Sequence, residues 1–208
     1  MLLVMKPAVR GHAVLGCLRV AGITLACLAI LSTGAAAQFG VPIGQRDPRL
    51  EPVSVRELVS RYCRLDYAGA RLKAADWPKL QPLVAWPANP DYSLFMATSR
   101  FDVDSEPVQD RGKYLVTVHY RVLGKYDMNE GYSLDTANVV EDVQFTVSEV
   151  NGDWKITDAE PGYPHPSRAA ALEWLNQHLA GTQDPVAKTI YQHALELLQA
   201  QKSNPLAK

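Results

Sequence analysis

Asp66 is the residue of this chain best placed to do chemistry. On a helical wheel it falls inside an apolar stripe, about 20° from Val55 and about 40° from Tyr62 at ~100° per residue. A carboxylate that faces a core is costly unless it is paired or protonated, so Asp66 needs either a partner or a pocket. In a pocket it would be a general base or a ligand anchor on a cavity floor, its pKa raised by burial and Tyr62 one turn away. Against a partner it would be architecture, bonded to an arginine, a tryptophan or a backbone amide. Both readings stand at this level.

The other candidates are weighed the same way. Tyr114 and Tyr120 share the inward parity of an alternating strand, and either line a cavity with their hydroxyls or serve as core aromatics with those hydroxyls satisfied. His119 has the opposite parity, with Thr117 and Arg121, and reads as a surface histidine. Cys63 lies at the edge of the apolar stripe with no histidine near it in sequence, which suits a buried, inert thiol. His165, His178 and His193 fall on a Pro-rich loop and two helices without metal-ligand spacing, so no metal is expected. Neither a glycine-rich phosphate loop nor a Gly-x-Ser-x-Gly elbow occurs, and no cofactor is expected. The acidic runs Asp102–Glu106 and Glu141-Asp142 read as solvated faces, the first without the ordered ligands of a calcium loop.

These residues need elements to hold them. Ser54-Val55-Arg56-Glu57 has the form of a capping box, and predicts a helix from Ser54 to about Lys73. Val55, Leu58, Val59, Tyr62 and Gly69 lie on its apolar side, with Glu57, Ser60, Arg64 and Arg71 opposite. Asp76-Trp77-Pro78 predicts a second, shorter helix with Asp76 as cap and Leu80, Leu83 and Val84 buried. From about Ser93 the period changes to two. Lys113–Leu123 and Val139–Val150 alternate as strands, Phe101–Val103 belongs to an earlier one, and Asn151-Gly152 predicts a tight turn into Trp154–Thr157. At least four strands joined by hairpins imply an antiparallel sheet. The polar stretch Gly124–Thr136 is either a hairpin extension or a rim loop. Residues 161–166, rich in proline, read as a linker. Ser167 caps a helix ended by Gly181, and Asp184-Pro185 opens a last one to about Gln201, with Val186, Ile190, Ala194, Leu197 and Leu198 on one stripe.

The first 37 residues carry Lys6, Arg10 and Arg19, no acid, an apolar run Val20–Leu31 and small residues ending in Ala35-Ala36-Ala37. That order predicts a secretory signal peptide, too short in its apolar run to cross a bilayer core of ~20 helical residues. Export to the periplasm or beyond follows as the expected address, with residues 38–53 as an extended tether and no membrane association after cleavage. The remainder holds 18 basic and 22 acidic residues, a formal charge of −4, interspersed and without a basic stripe. Nucleic acid is thereby excluded as an expected partner. Cys63 alone remains after the signal, so no internal disulfide is available and the core must supply the stability.

A long helix, a short helix and an antiparallel meander over residues 54–160 make an α+β arrangement. With Tyr62-Cys63-Arg64-Leu65-Asp66-Tyr67-Ala68-Gly69-Ala70-Arg71-Leu72, then Trp77 and Pro82-Leu83-Val84-Ala85-Trp86-Pro87, the chain resembles exported bacterial proteins of the NTF2-like superfamily, also termed cystatin-like or SnoaL-like. The resemblance implies a curved sheet wrapped on a long helix around a cone-shaped cavity. Helices over 167–201 lie outside it, with 202–208 as a tail. Because such folds host many activities, the fold alone does not choose. The expected function is a non-catalytic module that binds a small ligand or an envelope protein. One alternative is an isomerase, dehydratase or hydrolase using Asp66. Another is an interaction module working through the C-terminal helices, which would leave an apolar patch exposed on the last of them. A homodimer is a further expectation for an open sheet.

Overall fold

The computed structural model describes residues 51–134 and 139–201, with the backbone alone for 132–134. The expected signal peptide, the expected tether up to residue 50 and the tail lie outside the described residues.

Helix α1 runs Glu51–Tyr67 and buries Val55, Val59, Tyr62, Cys63 and Asp66. It differs from expectation at both ends. Ser54 is inside the helix and caps nothing, and Glu51–Val53, assigned to the tether, are its first residues. At the other end, Gly69 adopts φ +88°. Its amide donates to the Asp66 carbonyl at 2.7 Å, and the Ala70 amide to Leu65 at 3.0 Å. This pair of bonds closes a helix with a left-handed glycine, so the chain leaves α1 six residues before Lys73. Arg71 is therefore on no helix. Placed on the solvent side by periodicity, it is buried instead, 3% exposed.

Helix α2, Trp77–Leu80, sits between two short 3-10 turns, Ala74–Asp76 and Gln81–Leu83. Pro78 occupies its first turn as expected, but the Asp76 side chain makes no cap bond; it accepts from Lys79 at 2.6 Å. Leu80, Leu83 and Val84 are buried, as their pattern required.

Among the described residues six strands form one antiparallel sheet: β1 (Leu94–Val103), β2 (Val108–Asp110), β3 (Lys113–Asp127), β4 (Gly131–Leu134), β5 (Val140–Val150) and β6 (Asp153–Glu160). The path is β1-β3-β5-β6, with β2 and β4 also pairing to β3. Both β1 and β2 take up successive parts of β3, as do β5 and β4, so the sheet has four rows. Strand β3 is longer than its alternation to Leu123 implied. Gly124–Asp127 continue it, and the polar stretch after Leu123 forms the β3–β4 hairpin extension, with the Asn129 amide bonded to Asp127 at 2.9 Å in the turn. Residues 135–138 lie outside the described residues. Asn151 and Gly152, at φ 54° and 88°, make the tight β5–β6 turn that their types predict.

The parity of β3 holds along its length: Tyr114, Val116, Val118, Tyr120, Val122 and Tyr126 are all buried. Val116, Val118 and Tyr120 join Val143, Phe145, Val147 and Ile156 in one cluster with Val55, Val59, Tyr62 and Cys63 of α1. Farther along, Phe95, Ala97 and Tyr126 form a second cluster with the C-terminal helices α3 (Arg168–Gly181) and α4 (Pro185–Ala200). Ser167 caps α3 by accepting from Ala170, and Asp184 caps α4 by accepting from Val186, both as the sequence implies. Ala194, Leu195 and Leu198 are buried against the sheet cluster, while Val186 is the one large hydrophobic of α4 among those left exposed.

The Pro-rich segment 161–166 is not a free linker. It lies along the outer edge of β1, where the Met96 and Thr98 amides donate to the carbonyls of Pro164 and Pro166 at 3.0 and 2.9 Å. Thr98 and Ser167 form a parallel bridge. The alternate amides turn the other way, toward the end of α1: His165 to Asp66 Oδ2 at 2.9 Å and Ser167 to the Tyr67 carbonyl at 2.7 Å. At the opposite edge, the Ala85 amide donates to Ile156 of β6 at 2.8 Å. Among the described residues no helix is long and apolar enough to cross a membrane.

Candidate functional site

Asp66 lies at the last turn of α1 and is 2% exposed. Its Oδ2 is spent on the His165 amide, and its Oδ1 is buried without a hydrogen-bond partner among the described residues. Burial pushes its carboxyl above the usual range; the charges of Arg71 and His165 and the His165 amide pull downward without cancelling that push. Arg71 reaches this position because Gly69 turns the chain back. Its Nε donates to Asn89 Oδ1 at 3.3 Å, the Asn89 amide donates to the Arg71 carbonyl at 2.8 Å, and Nη2 is buried and unpartnered. Burial drives the Tyr62 phenol above its ordinary value, with the Arg71 charge pulling against it. Asp66 thus meets a backbone amide, with the Arg71 charge acting on it.

Tyr120 and Cys63 close the other side. The Tyr120 hydroxyl donates to Cys63 Sγ at 3.2 Å. Burial pushes the Cys63 thiol up to about 12 and the Tyr120 phenol well above its ordinary value. Neither is available as an anion at neutral pH, so Cys63 is the inert thiol its position suggested. Tyr114 does not join this group. Its ring packs edge-on against Trp154 at 5.4 Å, toward the other end of the sheet.

Two further residues belong here. His165, placed on a loop, is 2% exposed and stacks on Tyr120 at 4.1 Å. Glu141, taken as part of a solvated face, is paired directly opposite Tyr120 in the sheet and so faces inward. Its Oε2 accepts from His165 Nε2 at 3.1 Å, and its other oxygen accepts from the Tyr163 hydroxyl. A carboxylate only accepts, so the proton of this pair sits on Nε2. Burial alone would raise Glu141, but the bonds from His165 and Tyr163 and the His165 charge hold it below its ordinary value. Its own alternation with Val143, Phe145 and Val147 was the available signal. For His165 there was none.

Glu141 gives a pH prediction. With a folded pKa below the ordinary 4.5, its stabilisation is fully present above that value and is lost as pH falls through the lower folded one. Asp66, whose folded pKa is raised, works in the opposite sense: it favours the fold more as pH drops toward 3.8. Glu141→Gln should therefore flatten the acid limb of a urea-midpoint profile. A limb as steep as that of the parent protein would show that Glu141 is not the group responsible.

On the outer face, His119 Nδ1 and Nε2 meet Asp142 and Asp104 at 2.6 and 3.0 Å. The bonds to Asp142 and then Asp104 raise its pKa, and it is partly exposed, in line with its surface parity. The described residues offer no cluster suited to a metal ion.

An open depression of about 340 Å³ lies at the C-terminal helices, lined by Gln177, His178, Gly181, Thr182 and Tyr191. Its rings continue the second core cluster outward. His178 stacks on Trp174 at 3.7 Å, Trp174 meets Phe95 and Tyr126 edge-on, and Tyr191 stacks on Tyr126 at 6.3 Å.

The chain matches no protein-family model, no curated protein and no solved structure.

Proposed function

We propose that this chain is an exported, non-catalytic module of the NTF2-like kind that binds a small ligand. The observation that carries the reading is the sealing of the Asp66 group. Its carboxylate holds a backbone amide, and the thiol and phenols around it are driven toward their neutral forms by burial. Acid–base catalysis needs a group within reach of a substrate proton and a pKa near the working pH. Asp66, Tyr62 and Tyr120 are 2%, 2% and 0% exposed. The α1 helix on the inner face of an antiparallel meander supports the NTF2-like assignment.

The test uses protein recovered from the envelope of an expressing bacterium. Its intact mass should correspond to a chain beginning at Gln38, and a mass that includes the apolar run would overturn export with cleavage. Native mass spectrometry with a metabolite library should find a compound that binds and is recovered unchanged. Turnover of a compound, lost in a folded Asp66→Asn variant, would replace the binding reading by the enzymatic one.

A further inference from the structure

We propose that the depression at the C-terminal helices is the ligand seat, and that it takes a small uncharged aromatic molecule bearing an O–H or N–H donor; this rests on the binding reading above. Three features select that class. The volume of about 340 Å³ accommodates one or two rings and not a macromolecular surface. Its sides are aromatic: His178, backed by Trp174 at 3.7 Å, and Tyr191 lie 5.9 Å apart with their planes inclined at 52°. A flat guest would meet one ring face-on and the other obliquely, the arrangements aromatic pairs favour.

The donor requirement comes from the imidazole. His178 Nδ1 lies 2.9 Å from the Trp174 carbonyl, which can only accept. Nδ1 is therefore the donor, and in the tautomer this bond selects Nε2 is the nitrogen left to accept. Among the described residues that line it there is no acid, lysine or arginine to favour a charged guest. Gln177 adds an amide and Thr182 a hydroxyl at the rim.

The experiment is a titration of the ¹⁵N-labelled recovered protein with phenol and, separately, with toluene, which has the same ring and no donor. Phenol should shift the amides of 177–182 and Tyr191 and bind roughly three- to tenfold more tightly than toluene, as one net hydrogen bond allows. His178→Phe keeps a ring on Trp174 and removes the acceptor, so phenol should lose its advantage over toluene there. The imidazole ¹⁵N signals of the parent protein should show Nε2, and not Nδ1, responding to phenol. Equal affinities for the two guests in the parent protein, or shifts confined to residues outside the helical pair, would overturn this assignment and leave the binding reading standing. Failure of phenol and of every library compound to bind would overturn both.

Discussion

Asp66→Ala should destabilise the fold by about 1–3 kcal/mol, the usual cost of leaving a buried hydrogen-bonding group without its partner. Two losses combine. The Arg71 guanidinium, 3% exposed, loses the nearby negative charge, and the His165 amide loses its acceptor at 2.9 Å. Asp66→Asn separates them, because the amide oxygen can still receive the His165 N–H while the charge is gone. It should therefore cost less than alanine. Pairing Asp66→Ala with Arg71→Ala should be less than additive, by about 0.5–3 kcal/mol, since the second change removes a charge already left alone. Urea unfolding of the four proteins gives the cycle. A cost of under about 1 kcal/mol for Asp66→Ala would mean that neither the bond from His165 nor the charge facing Arg71 matters to the fold.

Gly69→Ala is expected to cost about 2–5 kcal/mol, from two sources that can be measured apart. The first is conformational: φ is +88°, where a side chain is strained by about 1–2 kcal/mol. The second is steric. A Cβ on Gly69 would stand 2.9 Å from the Cβ of Ala170, at the start of α3, and overpacking of this sort costs about 1–3 kcal/mol. Gly152 supplies the control, since it has the same φ of +88° and nothing within 4 Å of its notional Cβ. Gly152→Ala should show the first cost alone. Adding Ala170→Gly to Gly69→Ala should recover the second and leave the first, together with the about 0.5–1 kcal/mol that a glycine in place of alanine costs a helix. If the two alanine variants were equally destabilised, the contact between the end of α1 and α3 would not be tight.

The same glycine explains where reading the sequence stopped working. The apolar stripe of α1 was legible, including the inward position of Asp66, because periodicity is a local property. The end of α1 was not. Gly69 fell on the apolar side of the wheel, so nothing in the pattern marked it as a terminus, and Arg71 was carried onto the solvent face of a helix that no longer existed. Sheet parity was equally legible along β3. It also placed Glu141 in line with Val143 and Phe145, but a charged residue next to Asp142 reads as solvated until its partner is known. That partner, His165, lies in a segment without periodicity, and its own amide reaches a carboxylate 99 residues away. Pairings at such separation leave no trace in spacing. The aromatic wall at the C-terminal helices was hidden for a related reason: the apolar stripe of α4 was visible, but the rings of Trp174, His178 and Tyr191 meet only once two helices have folded onto the sheet.

A β-sheet has no intrinsic last strand. Any border with free alternate amides can recruit another chain, and at high concentration that is how soluble proteins begin to aggregate. Along the β1 border the recruit is already in place and can pass nothing on. Pro164 and Pro166 lend their carbonyls to β1 and have no amide hydrogens of their own, while the amides of His165 and Ser167 are consumed by Asp66 and Tyr67. Asp66 is thus the stopper of the sheet as well as a buried charge. Its loss would leave the His165 amide buried against the end of α1 without an acceptor, while the two prolines would still offer no donor to a further strand.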